Sequence, residues 1–381
     1  MTVEEIIAEA TARTGLAEIG DTSVLDGLAR LIDAYQTEAR LTPQGLDMKR
    51  ETLVSAMAIR MQVEDWLARH PELLERPIEK PMFVFGLPRS GTTLMVNLLA
   101  ADPSRRYFHN WEWGAPMPPA YPEELSAGPR YEAAKARSEA ALVHVPHIAA
   151  IHFEEADSPS ECQFLMTPSF AAQVYEAQAD IPTWRHWFMH ECDYLPAFRF
   201  HKRMAQALQH HTPGRWLFKN PWHPLFLDAL TEVYPDAQLV MTHRDPAEVV
   251  GSCCSLIANV RAMFSNEVDL KGIGESFMDT FEIMIARANA YKAKHGKDAI
   301  HDVQYADNMR DPIGTVRRIY ERFDEPLSAR AEAAMQAFMA SNQQGKHGRH
   351  TYDLADYGLT KEGVRERFKG YIEDYDIPVK G

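Results

Sequence analysis

The 381-residue chain is poor in cysteine and has no long stretch of a single character. Its four cysteines, Cys162, Cys192, Cys253 and Cys254, form no C-x-x-C pair and show no Cys/His ligand spacing. That excludes a disulfide scaffold and points to reduced thiols. No apolar run is long enough to span a bilayer. The first residues, MTVEEIIAEATARTG, are acidic and amphipathic and lack the basic start and apolar core of a signal peptide, so a cytoplasmic location is expected. There is no long basic run, and the formal net charge is −14. Nucleic-acid binding is thereby excluded as the main function, and any anionic ligand must be held by local donors against an overall repulsive field. Internal repeats and low-complexity linkers are also missing. What is there is ordinary for a globular protein with a sizeable core: 45% hydrophobic and 25% charged residues, enough for one large α/β domain with an added piece or for two domains.

The stretch Pro81 to Ala101, PMFVFGLPRSGTTLMVNLLAA, is the most informative. Met82 to Phe85 is a short apolar run bounded by Pro81 and Gly86 and reads as a buried strand. The turn Gly86-Leu87-Pro88-Arg89-Ser90-Gly91 follows, and Thr92 to Leu99 reads as a helix with Leu94, Leu98 and Leu99 inward. Strand, glycine-rich turn and helix together cradle phosphate. Backbone N–H groups turn inward and the helix N-terminus adds partial positive charge. Ser90, Thr92 and Thr93 supply hydroxyls and Arg89 a guanidinium fork. A nucleotide triphosphatase loop would carry Lys directly after the second glycine; here that place holds Thr92, and the charge has moved to Arg89. Such a loop is poorly equipped for the β- and γ-phosphates of ATP or GTP but suits a single 5′-phosphate bearing one further charged group.

Residues 1 to 80 read as helices, with Ile6, Ile7 and Ala10, then Leu25, Leu28, Ala29 and Ile32, at helical spacing and Leu53 to Leu67 continuing the pattern. They carry no catalytic constellation and are expected to form a layer on the main domain or on a partner subunit. Glu112 lies between Trp111 and Trp113, where apolar walls would raise its pKa toward that of a general base; a rim carboxylate beside core aromatics is the competing reading. His144, His147 and His152 precede Glu154, Glu155, Asp157 and Glu161, but the spacing matches no metal-binding helix motif, and no metal is expected. His152 or Glu161 could face a site. Residues 175 to 200 are rich in aromatics, as core or as the lining of an apolar pocket.

Two further strands end in charge. Trp216 to His223 reads as a strand ending in Lys219-Asn220-Pro221, and Ala237 to Arg244 as one ending in His243-Arg244, with Ser252 in the helix beyond. Strand C-termini form the ligand edge of an α/β sheet. Arg244 and Ser252 there suit a second phosphate, or else a salt-bridged Arg and a neutral Ser. Glu275 to Ala293 reads as a long helix, Ile300 to Tyr305 as a fourth strand and Ser328 to Ala340 as a helix. Gln343 to Tyr357 is a basic loop with Lys346, His347, Arg349 and His350 interleaved with glycines, either a flexible tail or a lid over an anion.

Taken together, Pro88-Arg89-Ser90-Gly91-Thr92-Thr93, Lys219-Asn220-Pro221, Thr242-His243-Arg244-Asp245-Pro246 with Ser252, and Val303-Gln304-Tyr305 with Asp311-Pro312 resemble the sulfotransferase family. The pattern is that of its bacterial branch, similar to tyrosylprotein sulfotransferases. The resemblance implies a P-loop-like, three-layer α/β fold, a parallel sheet flanked by helices, with a helical region over 1–80 and the main domain over 81–381, the latter carrying a helical acceptor-site insertion at about 110–210. It implies 3′-phosphoadenosine 5′-phosphosulfate (PAPS) as donor and PAP as product, without a metal. Arg89, Ser90, Gly91, Thr92 and Thr93 would hold the 5′-phosphosulfate, Arg244 and Ser252 the 3′-phosphate, and Tyr305 the adenine region. Lys346 and Arg349 would close over the donor. Lys219 and Arg89 would stabilise charge on the leaving phosphate, in an in-line displacement. Cytosolic members commonly carry Lys in the loop and Lys-Thr-His at the second motif, whereas here the loop has Arg89 and no Thr-His follows Lys219, which leaves the base open. Glu112 is the first choice, because it resembles the Glu that follows the loop in the tyrosylprotein branch; His152 and His223 are alternatives. The acceptor is expected to be a small apolar or aromatic hydroxyl compound, and the N-terminal helices could join a homo-oligomer. A nucleotide kinase or GTPase, and a non-catalytic adenosine-bisphosphate-binding protein, are the competing classes.

Overall fold

A computed structural model describes residues 1–144, 155–342 and 351–379. Five strands, β1 (Met82–Gly86), β2 (Arg105–Tyr107), β3 (Arg215–Lys219), β4 (Gln238–His243) and β5 (His301–Gln304), form one sheet in the order β2-β3-β1-β4-β5. All pairings are parallel, with Val84 opposite Lys219 on one side and Val240 on the other. From β1 the chain passes to β2 at the sheet edge, returns to β3 beside β1, then crosses to β4 and β5 on the other side. The loops leaving β1, β3 and β4 therefore emerge side by side at one sheet edge, where a crevice forms.

Alternation along the strands makes the three layers. Met82, Val84, Leu217, Val240 and Val303 face a cluster formed by helix α4 (Thr92–Ala100) and the helices Pro312–Arg322 and Ala329–Ser341. Phe83, Phe85, Trp216, Phe218, Leu239 and Met241 face the opposite, larger cluster. Both sheet faces are thus covered, as a parallel sheet requires. The larger cluster runs without a break into α1 (Val3–Thr14), α2 (Leu25–Thr37) and α3 (Pro43–Arg69), through Ile6, Leu28, Leu31, Leu53 and Met57. Thr2 and Glu5 cap α1 reciprocally, and Thr42 followed by Pro43 starts α3. The N-terminal helices are a layer of this core.

Strand β2 breaks the apolar rule, since its Arg105 and Arg106 are buried. Arg105 pairs with Glu325, and Arg106 pairs with Glu112. The expected strand through His223 stops at Lys219, because Asn220 to Leu225 turns into a short 3-10 segment. At the far end, the helices Lys361–Arg367 and Lys369–Asp374 close over β4 and β5. Tyr371 Oη lies 3.0 Å from His243 Nδ1, and Gln304 Nε2 donates to the carbonyl of Tyr375 at 2.5 Å. Tyr352 packs on Gly251, where a Cβ would come within 2.1 Å of its ring, and donates to the carbonyl of Glu248 at 3.0 Å.

Two buried histidines make the core acid-sensitive. His201 and His223 are fully buried beside Phe83, Phe198 and Phe218. Burial pushes His201 down to about 3 and His223 well below the ordinary histidine value, so both are neutral in the fold. Unfolded, each takes up a proton near pH 6.5. The native state therefore keeps its full contribution from them above about pH 6.5 and loses about 1.4 kcal/mol per histidine for each pH unit below it, until the folded-state pKa is reached. Thermal unfolding temperatures should fall on going from pH 7 to 5, and His223→Leu should flatten that slope. An unchanged slope in the variant would show that His223 does not titrate on unfolding.

Candidate functional site

The turn after β1 is built by two glycines and a left-handed arginine. Gly86 has φ +149°, and a Cβ there would lie 2.4 Å from the carbonyl oxygen of Thr242; at Gly91, φ +92°, it would lie 2.8 Å from the ring of Tyr305. Arg89 itself has φ +69°, a conformation that costs a non-glycine residue about 1–3 kcal/mol. The carbonyl of Arg89 accepts a hydrogen bond from Arg244 Nη1 at 2.7 Å, and its own Nε donates to Ser252 Oγ at 3.2 Å. Arg244 also lies 4.3 Å over the ring of Tyr305. Four residues from three separate motifs, Arg89, Arg244, Ser252 and Tyr305, are thereby brought together. Burial lowers the Arg89 pKa, and the neighbouring Arg244 charge pushes the same way. Among the described residues neither guanidinium has a carboxylate closer than Glu248, 3.9 Å from Arg244.

Arg89, Arg244 and Tyr305 line one end of a cleft of about 750 Å³. Pro88, Arg89, Gly91, Thr92, Thr93, Arg244 and Tyr305 form that end, where α4 points its N-terminus. The other end is apolar, with Phe164, Val174, Trp222, Leu256, Ile257 and Val260. Glu161 and Gln163 also line the cleft. Lys219, at the end of β3, is 2% exposed and lies beneath the cleft, its Nζ 3.2 Å from Glu161 Oε1. The second Glu161 oxygen accepts from Gln163 Nε2.

Several expected site residues are placed differently. Glu112 is not between apolar walls and does not reach the cleft. It is fully buried, with Oε1 2.5 Å from Arg106 Nη2 and Oε2 accepting from the His109 N–H at 2.9 Å. Trp111 lies in a separate small cluster and Trp113 is exposed against Phe164. Glu112 instead fixes the segment on which residues 156–160 dock. Asn110 N donates to Ser158 O, Trp111 N to Ala156 O, Ser160 N to Phe108 O, and His109 bridges Pro159. That docking delivers Glu161 to the cleft. His223 is enclosed among aromatics with neither ring nitrogen bonded, so it cannot reach an acceptor there. The Ser90 hydroxyl is turned away, donating to the Leu87 carbonyl at 2.6 Å beside Thr242 Oγ1, and serves the turn. Ser252 lies behind Arg89, which it orients. His152, Lys346 and Arg349 lie outside the described residues. Glu161 could be noticed in sequence only as one carboxylate among several. The one group of possible metal ligands among the described residues, His70, Glu72 and His210, includes no residue of the cleft.

Comparison with known proteins agrees with this geometry. The model described as the sulfotransferase family matches residues 81–329. The chain is similar over its whole length to the crystal structure of sulfotransferase STF9 from Mycobacterium avium, with 34% identity, a TM-score of 0.93 and 98% of that chain covered. It is similar to sulfotransferase STF1 from Mycobacterium tuberculosis H37Rv, with 36% identity and a TM-score of 0.87, covering 97% of this chain and 99% of that one. A curated protein of Mycobacterium tuberculosis, named omega-hydroxy-beta-dihydromenaquinone-9 sulfotransferase Stf3, is 22% identical over 254 residues, 64% of this chain and 62% of that protein's length. With its loop, its paired arginines and these relatives, the chain belongs to the sulfotransferase family and is an enzyme that transfers sulfuryl groups.

Proposed function

We propose that the donor is PAPS and the acceptor a hydroxyl on an apolar molecule, with Glu161 as the base. The observation that carries this reading is the pair of guanidiniums, Arg89 and Arg244, lining one cleft with Gly91, where the nearest carboxylate among the described residues is Glu248, 3.9 Å from Arg244. Two like charges held together call for an anion at each, which a nucleotide with phosphate at both ribose ends supplies. Arg89, Thr92, Thr93 and the α4 N-terminus would take the 5′-phosphosulfate, Arg244 the 3′-phosphate, and the Tyr305 ring the adenine side.

In the transfer, the acceptor oxygen bonds to sulfur as the bond from sulfur to the bridging oxygen breaks. That electron pair goes to the 5′-phosphate of PAP, and the hydroxyl proton goes to the Glu161 carboxylate. Lys219 and Arg89 supply the positive charge that the leaving phosphate needs. The apolar wall of Phe164, Val174, Trp222 and Leu256 suits an apolar acceptor body. The curated relative's named substrate, an ω-hydroxylated dihydromenaquinone, has the same character, a hydroxyl on a long apolar molecule.

Calorimetry tests the donor. Adenosine 3′,5′-bisphosphate should bind more tightly than ADP or GDP, and Arg244→Ala should weaken it about 10- to 100-fold, the value of one charge-assisted contact, while leaving ADP nearly unaffected. Equal losses for both nucleotides would remove Arg244 from the 3′-phosphate.

Turnover tests the base. Glu161→Gln should lower kcat by about 10²–10⁴ with little change in PAP affinity. Glu112→Gln should keep most of its turnover per folded molecule but lose about 3–5 kcal/mol of stability, since it leaves Arg106 buried and unpaired. The reverse pattern, a stable but inactive Glu112→Gln and an active Glu161→Gln, would return the base to Glu112.

A further inference from the structure

Among the apolar residues of the cleft lining stands a polar group with an unusual support. Gln178 lines the cleft beside Val174 and Ala177. Behind Gln178, and outside the cleft lining, is Lys49 of α3, which is completely buried. Its Nζ donates to Gln178 Oε1 at 2.7 Å and rests 3.3 Å from the centre of the Phe264 ring. No carboxylate accompanies it among the described residues. Burying an amine on so few partners is costly, and an aliphatic side chain would fill the same space without that cost.

The consequence of the pair is orientational. Because Nζ donates to Oε1, the planar amide of Gln178 turns its Nε2 away from Lys49. Nε2 has no hydrogen-bond partner in the protein among the described residues and is not among the buried unpaired atoms, so it is accessible, on a residue that lines the cleft. An amide N–H donor set in an otherwise apolar wall discriminates by chemistry: it rewards an oxygen acceptor and penalises a hydrocarbon that strips its water.

We infer that Gln178, held by Lys49, is a recognition subsite for the acceptor, taking a carbonyl-type or ether oxygen on the apolar body away from the hydroxyl that is sulfated. This rests on the proposed transfer to an apolar alcohol and narrows the acceptor class to apolar alcohols bearing a second, hydrogen-bond-accepting oxygen. Gln178 would touch the acceptor, and Lys49 is a positioning residue acting through it.

The test uses the full chain with saturating PAP, reading acceptor binding by calorimetry, and with PAPS, reading kcat and KM. Decanol and its oxo-substituted analogues, with the carbonyl placed at successive carbons, are the probes. At least one oxo analogue should bind about five- to tenfold more tightly than decanol, the worth of one hydrogen bond. Gln178→Leu should erase that preference, raising KM for the oxo analogue and lowering it for decanol. Lys49→Met should do the same more weakly. Gln178→Leu keeps the fold testable if Lys49→Met does not express. The inference is overturned if no oxo analogue outbinds decanol, or if the preference survives Gln178→Leu. Failure of PAP itself to bind would instead overturn the donor reading on which the inference rests.

Discussion

Two guanidiniums that repel each other are held in one cleft by bonds that do not neutralise them. Arg244 spends a hydrogen bond on the carbonyl of Arg89, and Arg89 directs its Nε to a neutral hydroxyl. A carboxylate in either place would give a more stable apoprotein and a poorer anion site. The surrounding structure compensates instead. Gly86 admits the Thr242 backbone, Gly91 admits the Tyr305 ring, and the Ser90 hydroxyl ties the turn to Leu87 and Thr242. The remaining charge near the strand ends is consumed away from the cleft, with Asp245 accepting from Arg365 and capping its own helix, and Asp302 shared by His243 and Lys292. In a protein of net charge −14 this local segregation leaves a cationic pocket, on which the proposed donor site rests.

On the proposed reading a second requirement is a carboxylate near the transfer point, and Glu161 is placed in the cleft by a longer route. Arg106 leaves β2 and pairs with Glu112; Glu112 grips the His109 N–H; the 108–111 backbone then docks residues 156–160, and Glu161 follows. The first two links are buried side-chain contacts and the rest are backbone hydrogen bonds, which hold the segment when one side chain is altered. The effect of a residue fully buried in an ion pair and several steps from the cleft thus runs through position and stability and not through proton transfer.

The difference between what the sequence discloses and what it hides follows this division. The turn at 88–93, Lys219 and Arg244 are legible because each is a local pattern: apolar strand, then a charge or glycine at the strand's end, at an edge that parallel topology makes common. The three layers follow from the same alternation. Strand β2 is not legible, because Arg105-Arg106-Tyr107 has no apolar signature and is buried only through partners at Glu325 and Glu112. Glu112 is misleading for a related reason, since flanking tryptophans in sequence need not flank in space: Trp113 turns outward and Trp111 joins Ala120 and Ala134. His223 resembles an edge ligand only if β3 is run four residues too far. Glu161 carries no local mark at all, because its role depends on a bridge between segments fifty residues apart.

The pairing of Glu161 with Lys219 joins the two requirements. Lys219 Nζ and Glu161 Oε1 face each other at 3.2 Å, so the buried ammonium has the carboxylate as its counter-charge. On the proposed reading, the leaving phosphate of the donor competes for Lys219, and every increment of charge that Lys219 gives to that phosphate is withdrawn from Glu161. Release of the carboxylate from its ion pair and stabilisation of the leaving group would then be one event, so that proton removal from the acceptor and departure of PAP are linked through one cation. A Lys paired with a neutral residue could assist the leaving group but could not couple it to the base. The coupling would need only one shared cation at the end of β3, next to the strand whose turn would hold the anion on this reading, so the strand order that sets β1 beside β3 matters as much as any residue in the cleft.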